Sequence, residues 1–352
     1  MDARLLTRVL TEPSYALSLD ARGWTALLAM AHGERLSGSL AVRLKGLAIP
    51  DTAREVLEAA RVSAEESRTA ALWETEMARR ALAPLGIPII LLKGAAFVAA
   101  GLDAGRGRMI GDLDILVPHD RLDVAEAALL GAGWEWVKPD PYDDAYYREH
   151  MHELPPLIHR DRDRMIDVHH TILPLTARMR PDAGELIADA ISLGAAPSGT
   201  VPDSAVVGGQ SPLSTLCPQD MLIHAAAHLF ADGDLAGGLR NLWDIDRLIR
   251  EHSGAPDYWS KLAKRARLHG LVPHVSRALR LTHHLFDTPV DAFLAYEARR
   301  GDVFYLGRIL ARNRWGQETR KLLRLAFYVR SHWIRMPPLM LARHLWVKWR
   351  RS

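Results

Sequence analysis

Two aspartates, Asp112 and Asp114, alternate with apolar residues in a short run bounded by Gly111 and Pro118. In a β-strand, residues i and i+2 point to the same face, so both carboxylates project together. Two like charges on an otherwise apolar strand are costly unless a positive charge lies between them. Carboxylate oxygens are hard ligands that suit Mg²⁺, with Mn²⁺ as an alternative. The run therefore predicts a strand that binds a divalent cation.

A third carboxylate, Asp167, lies between the apolar residues Ile166 and Val168. Period-2 alternation places Asp167 on one strand face together with Met165 and His169. If this strand lies beside the first one, three carboxylates converge and can bind two metal ions. We therefore expect Asp167 to be the third metal ligand. His169 is the histidine best placed to assist proton transfer or to orient Asp167.

Upstream, the sequence LLKGAAF runs from a short strand through Gly94 into a helix. A glycine lets backbone amides approach an anion closely, and a helix start offers free N–H groups and a positive dipole end. Lys93 adds a point charge, and Arg106 and Arg108 follow in the next loop. This order predicts a phosphate-binding segment next to the carboxylates.

The predicted fold class is α+β, with a small mixed-sheet core embedded in a mainly helical protein. Its 352 residues suggest either two domains or one domain with a large helical annex. The predicted parts are an N-terminal helical region (1–85), the α/β core (86–182), a helical bundle (183–300) and a basic, aromatic, helical C-terminal tail (301–352).

Within the core, the predicted order of elements is β, α, β, α, β, β, β. Three strands lie within 87–94, 111–118 and 134–137, and the last two form a hairpin around a turn at Asp161–Asp163. The segment between Gly194 and Pro212 is rich in Gly, Pro and Ser, and is the best candidate for a linker with room for one short strand.

The cysteine content and the charge distribution exclude some classes and leave others open. Cys217 is the only cysteine, so a fold held by internal disulfides is excluded. The sequence lacks a signal peptide and a long apolar run, so we expect a cytoplasmic protein. Residues 301–352 contain twelve Lys and Arg against two Asp and Glu, a local charge of +10. This tail could dock on the core as a helix pair broken at Pro337–Pro338, lie on an anionic membrane surface, or bind nucleic acid.

Two polar pairs on helices have several interpretations. His224 and His228 have the spacing of zinc ligands, but Ala225 stands where a zinc protease has glutamate. They could bind a metal, face the active-site cleft or pack in the core. Arg240 and Asp244 are four residues apart, which predicts a structural salt bridge.

Taken together, these motifs resemble a bacterial family of uncharacterised nucleotidyltransferases, within the nucleotidyltransferase-fold superfamily. The resemblance covers roughly residues 85–250 and keeps the order of its motifs. They lie at Leu91–Phe97, Arg108–Val117, His152–His159, Ile166–Ile172 and Leu222–Ile249.

The resemblance implies metal-dependent transfer of a nucleoside monophosphate from an NTP to a hydroxyl or phosphate acceptor. The acceptor class stays open among small molecules, peptides or proteins, and RNA. By this match Asp112 and Asp114 are metal ligands, and Asp167 is the third carboxylate and a candidate base. Gly94 is the phosphate-loop glycine, and Ala95 stands where the superfamily has serine.

The step from Gly94 to Asp112, eighteen residues, is also longer than is usual in the superfamily, and two alternative hypotheses stand beside the enzyme, the first motivated by Ala95 and the second by the basic tail. One is a catalytically inactive binding or regulatory protein with the same fold. The other is a nucleic-acid-binding protein that acts through the tail. The three intact carboxylates favour the enzyme, because an inactive site has no reason to keep like charges together.

Overall fold

The computed structural model describes residues 2–194, 213–295 and 301–335 of the chain. These residues form a mixed β-sheet surrounded by helices. The strands are β1 (Ile89–Leu91), β2 (Asp112–Leu116), β3 (Trp134–Trp136), β4 (Leu157–His159), β5 (Met165–His169), β6 (Ile191–Ser192) and β7 (Leu213–Thr215).

Helices precede, connect and follow the strands. The α-helices are α1 (Arg4–Thr11), α2 (Ala21–Gly33), α3 (Ser37–Arg43), α4 (Asp51–Leu82), α5 (Lys93–Ala99), α6 (Leu122–Gly131), α7 (Pro141–His150), α8 (Ala183–Ala188), α9 (Pro218–Ala227), α10 (Gly238–His252), α11 (Tyr258–Leu268), α12 (Val272–Phe286), α13 (Ala292–Ala295), α14 (Asp302–Ile309) and α15 (Lys321–Arg335). Short 3₁₀ helices span Pro13–Ser18, Ala83–Leu85, Asp103–Gly105 and His119–Arg121, and a π-helical turn spans His228–Asp232.

The strand order in the sheet is β3-β4-β5-β2-β1-β7-β6. The parallel pair of β2 and β5 lies inside the sheet, and β1 pairs antiparallel with β2 and parallel with β7. β4 and β5 form the predicted antiparallel hairpin. A mixed sheet inside a mainly helical chain confirms the predicted α+β class.

Two features of the fold were not predicted from the sequence. The helix α7 has a polar sequence without apolar periodicity, and it begins where the Asp140 side chain accepts hydrogen bonds from the backbone N–H groups of Tyr142 and Asp143. The strands β6 and β7 extend the sheet beside β1, although they lie in the segment 183–300 that was predicted as helical. The proposed linker lies mostly outside the described residues, in 195–212.

The long helix α4 fixes the approach to β2. It packs against β2 and against α3, α5 and α6. The buried Ser67 hydroxyl on α4 donates to the Ile110 carbonyl over 3.0 Å and accepts from the Ile110 N–H over 2.8 Å. Because this one hydroxyl satisfies both backbone groups, it fixes the chain directly before Asp112.

The described part of the tail lies on the core through one face of α15. Phe327 is buried, and Arg330 donates to the Phe230 carbonyl over 2.8 Å. Leu322 on the same helix is 84% exposed. The expected break at Pro337–Pro338 lies outside the described residues. In the part of the chain that the structure describes, no helix is both long and apolar enough to cross a membrane.

Gly107 is required where α3 meets the loop before β2. Its φ is +66°, and a Cβ there would lie 2.3 Å from the Gly38 carbonyl oxygen. We expect Gly107→Ala to lower the free energy of unfolding by about 3 kcal/mol or more, because a backbone clash adds to left-handed strain. Gly101→Ala is the matched control, since Gly101 has a φ of +69° with no atom within 4 Å of the added Cβ. Gly101→Ala should lower the free energy of unfolding by only about 1–2 kcal/mol. Equal losses in urea unfolding would contradict this account.

Candidate functional site

The parallel pairing of β2 and β5 brings the predicted carboxylates together. Asp114 lies opposite Asp167, and Asp112 lies opposite Met165. Carboxylate oxygens of Asp112, Asp114 and Asp167 lie within 4.8 Å of one another. Asp112 is exposed, Asp114 is buried and Asp167 is half-buried. The structure therefore concentrates three like charges at one point of the sheet.

Two side chains stabilise the charge of Asp114. The Lys93 ammonium lies 2.5 Å from Asp114 Oδ1, and His169 Nε2 lies 2.9 Å from the same oxygen. Burial alone would raise the pKa of Asp114, but Lys93 and His169 outweigh burial and lower it well below its usual range. Burial alone would lower the pKa of Lys93, but Asp114 outweighs it and raises that pKa above its usual range. Lys93 and Asp114 thus form an ion pair at neutral pH.

Asp167 has the opposite environment. Burial, together with the nearby carboxylates of Glu153, Asp114 and Asp112, raises the pKa of Asp167 to about 7. Its buried Oδ1 atom has no hydrogen-bond partner among the described residues. A crowded carboxylate with an unsatisfied oxygen is suited to binding a cation.

Glu153 belongs to the site and was missed in the sequence. It forms a β-bridge with His169, and its Oε2 lies 3.3 Å from His169 Nδ1. Burial and the neighbouring His169 and Lys93 hold the pKa of His152 well below its usual range, so His152 is neutral. Glu153 lies within the motif at His152–His159, but no role was predicted for it. A carboxylate directly after that histidine was the available signal for Glu153.

Arg108 and Gly94 are linked by close packing. A Cβ on Gly94 would lie 2.8 Å from Arg108 Nε, so the glycine leaves room for this side chain. Arg108 forms a salt bridge with Asp244 on α10, and its guanidinium carbon lies 5.6 Å from the centre of the Phe97 ring. Ala95 is buried in the core. The phosphate contacts expected of this segment remain a prediction.

Other polar residues on α9 and α10 surround the site. His224 lines a small cavity of about 50 Å³ together with Lys93 and Arg108. Burial, with Lys93 and His228 nearby, holds the pKa of His224 well below its usual range. Among the described residues, neither His224 nor His228 belongs to a group of three potential metal ligands. This position favours the cleft-facing interpretation of His224.

The Arg240–Asp244 pair forms the salt bridge predicted for it, at 2.9 Å. Arg240 also donates to the Ser39 hydroxyl over 2.7 Å. Because Asp244 pairs with Arg108 as well, this network joins α3, α10 and the loop that leads into β2.

An open groove of about 690 Å³ lies along α4, on the side of Asp112. Trp73, Glu74, Arg162 and Arg164 are among the residues that line it. A smaller depression shares Glu74 and Arg164 with this groove and reaches Asp112. Among the three aspartates, Asp112 lines this smaller depression, and the neighbouring groove is large enough for a small-molecule moiety.

The three aspartates fit a divalent cation of the Mg²⁺ or Mn²⁺ type. Their oxygens form a compact, purely carboxylate donor set, and the unsatisfied Asp167 Oδ1 is one of the buried atoms that a cation would satisfy. Lys93 is the nearest competing positive charge.

Comparison with known proteins gives one informative result. The model of a protein family described as uncharacterised nucleotidyltransferase matches residues 20–287, which include all three aspartates and the sheet around them. No curated protein gives a significant match to the chain.

Loss of Lys93 should destabilise the metal-free protein. We expect Lys93→Met to lower the free energy of unfolding by about 3 kcal/mol or more in the presence of a chelator, because it removes one partner of a buried ion pair. The exposed Lys45→Met is the control and should stay within about 0.5 kcal/mol of wild type. Addition of Asp114→Asn to the Lys93 variant should recover part of the loss in urea unfolding. No recovery would mean that the unpaired charge is not the cause.

Asp167→Asn should make the metal-free protein less sensitive to pH. The folded state raises the pKa of Asp167 from 3.8 to about 7, so between these values the folded protein holds a proton that the unfolded chain has released. Stability should therefore fall as pH rises through this window. With a chelator present, we expect the variant to melt at a higher temperature than wild type at pH 8, with the difference shrinking towards pH 4. A difference in melting temperature that does not depend on pH would contradict the raised pKa of Asp167.

Proposed function

The chain belongs to the uncharacterised nucleotidyltransferase family, and we propose that it transfers a nucleoside monophosphate from an NTP to a hydroxyl or phosphate acceptor. The observation that carries the proposal is the convergence of Asp112, Asp114 and Asp167 on two adjacent parallel strands. The acceptor group belongs to a small molecule, a peptide or protein, or an RNA.

In this proposal the three aspartates hold divalent metal, Mg²⁺ in the first place. A bound cation of this kind supplies charge stabilisation to the triphosphate and lowers the pKa of the attacking hydroxyl. The protein contributes a rigid arrangement of the carboxylates. The register of β2 and β5 sets the spacing of the carboxylates, and His169 orients Asp114 through a 2.9 Å contact.

The triphosphate is proposed to lie on the side of Lys93 and Arg108. Both residues line the small cavity next to the carboxylates, together with His224 and Asn241. Lys93 is already held at the site by Asp114, so a short movement of its ammonium group would bring it to a phosphate oxygen. Gly94 supports this arrangement by leaving space for the Arg108 side chain.

The acceptor is proposed to enter by the groove along α4. This groove lies on the Asp112 side of the site, and Trp73 lines it with its side chain 45% exposed. The exposed indole offers a flat surface and the Arg164 guanidinium offers hydrogen-bond donors to the acceptor, while Arg162 in the same groove is held by Glu74.

The tail is proposed to determine where the enzyme is located in the cell, and not to take part in the reaction. On α15, exposed Leu322 and Leu325 lie next to Lys321 and Arg324, a combination suited to the surface of an anionic membrane. We place the enzyme in the cytoplasm, with this helix as a peripheral membrane contact. Contact of the tail with nucleic acid remains an alternative prediction.

Binding of the donor tests the first half of the proposal. We expect one of the four NTPs to bind in the presence of Mg²⁺, as measured by calorimetric titration, and Asp112→Asn to weaken that binding at least about tenfold because it removes a metal ligand. Asp112 is exposed, so this variant should keep the fold. Asp120→Asn is the matched control, because Asp120 is also exposed and follows the same strand. Failure of well-folded wild type to bind any NTP would favour the inactive alternative.

The fate of an isotope label in the NTP tests the transfer itself. With the NTP identified, cell extract is incubated with the enzyme and NTP labelled at either the α- or the γ-phosphate. Nucleotidyl transfer places the α-label on an acceptor and releases the γ-label as pyrophosphate. Acceptor labelling from the γ-phosphate alone would identify a kinase and overturn the proposal.

A further inference from the structure

A second group of potential metal ligands lies beside the aspartates. It consists of His152, Glu153 and His169, each of which offers one ligand atom within 4.8 Å of the others. Glu153 Oε2 lies 3.3 Å from His169 Nδ1 and 3.8 Å from His152 Nε2. The two imidazole rings have their centres 5.2 Å apart. This set of two nitrogens and one oxygen differs in chemistry from the purely carboxylate set.

The hydrogen bonding of His169 determines which of its nitrogens is available. Its Nε2 contacts Asp114 Oδ1 at 2.9 Å, and an ionised carboxylate only accepts hydrogen bonds, so Nε2 carries the hydrogen. The other ring nitrogen, Nδ1, then faces Glu153. This nitrogen is buried and has no hydrogen-bond partner among the described residues, although the Glu153 oxygen is only 3.3 Å away. His169 Nδ1 and the Glu153 oxygen are therefore close enough to ligate the same cation.

His152 adds a second unsatisfied imidazole. His152 is 8% exposed as a residue, and its Nδ1 is also buried without a partner in the described part of the chain. The backbone holds this histidine firmly, because the His152 carbonyl accepts from the His170 N–H over 2.9 Å and Leu154 N–H donates to Val168 over 2.9 Å. The backbone of the segment with His152 and Glu153 is thus fixed against the end of β5 before any ion binds.

We propose that His152, Glu153 and His169 form a second cation site, which binds a divalent transition metal of the Zn²⁺ class. Two imidazoles and one carboxylate are a common donor set for this class, and they leave a coordination position for water. The hydrogen bond from the other nitrogen of His169 to Asp114 is the outer-shell contact that orients a ligating histidine. This site does not depend on the proposed nucleotidyl transfer, and an ion in it would lock the imidazole that contacts Asp114.

The test is titration of the full-length protein with Zn²⁺ in a large excess of Mg²⁺, followed by calorimetry, with Co²⁺ as a visible-absorption probe. We expect one equivalent of Zn²⁺ to bind to wild type, and Co²⁺ to give absorption bands typical of a low-coordinate site with nitrogen ligands. His152→Gln should abolish both signals. The exposed His284→Gln is the matched control and should keep them. Asp112→Asn should also keep them, although it weakens binding of the Mg²⁺–NTP complex.

Glu153→Gln is the second variant, in case the His152 substitution disturbs folding, and circular dichroism verifies each protein. Loss of the Zn²⁺ equivalent in folded Glu153→Gln supports the site. Unchanged binding in both variants would place the ion elsewhere and overturn the proposal, as would the absence of a Zn²⁺ equivalent in wild type. Donor binding is measured separately, so failure of the proposed function and failure of this site give different results.

Discussion

The structure around the site depends on how a buried carboxylate, Asp114, is kept ionised. Lys93 and His169 contact the same oxygen of Asp114, and together they outweigh the cost of burial. Asp167, directly opposite on β5, has no such support and holds its proton more tightly. The site therefore contains one carboxylate whose charge is already stabilised by protein side chains, and one that is prepared for an external cation.

The rest of the fold holds this arrangement from several directions. Ser67 on α4 fixes the backbone that leads into β2. Asp244 on α10 holds Arg108, and Arg240 extends that network to Ser39 on α3. The helices before and after the sheet in sequence thus share side-chain contacts near the carboxylates. The family match, over residues 20–287, includes these helices as well as the sheet.

The sequence predicted the positions of functional side chains where these depend only on the periodicity of a single strand. Alternation on two short strands was enough to place Asp112, Asp114 and Asp167 on faces that could meet, and the parallel register fulfilled that condition. Contacts between distant segments were not readable. Nothing near Lys93 indicates that its backbone has a left-handed φ of 47° or that its ammonium group meets a residue twenty-one positions away. Glu153 was missed for the same reason, because its significance comes from the register against β5.

The Lys93–Asp114 ion pair also affects the order in which ligands can arrive. A lone metal ion that binds Asp114 must displace the Lys93 ammonium group from its contact with this carboxylate, in a partly buried space. A lone nucleotide meets three carboxylates that repel its phosphates. A metal–nucleotide complex solves both problems at once, since the metal replaces lysine at the carboxylate while a phosphate receives the lysine. Under the proposed function, the resting ion pair favours simultaneous entry of cation and anion and discriminates against each ligand on its own.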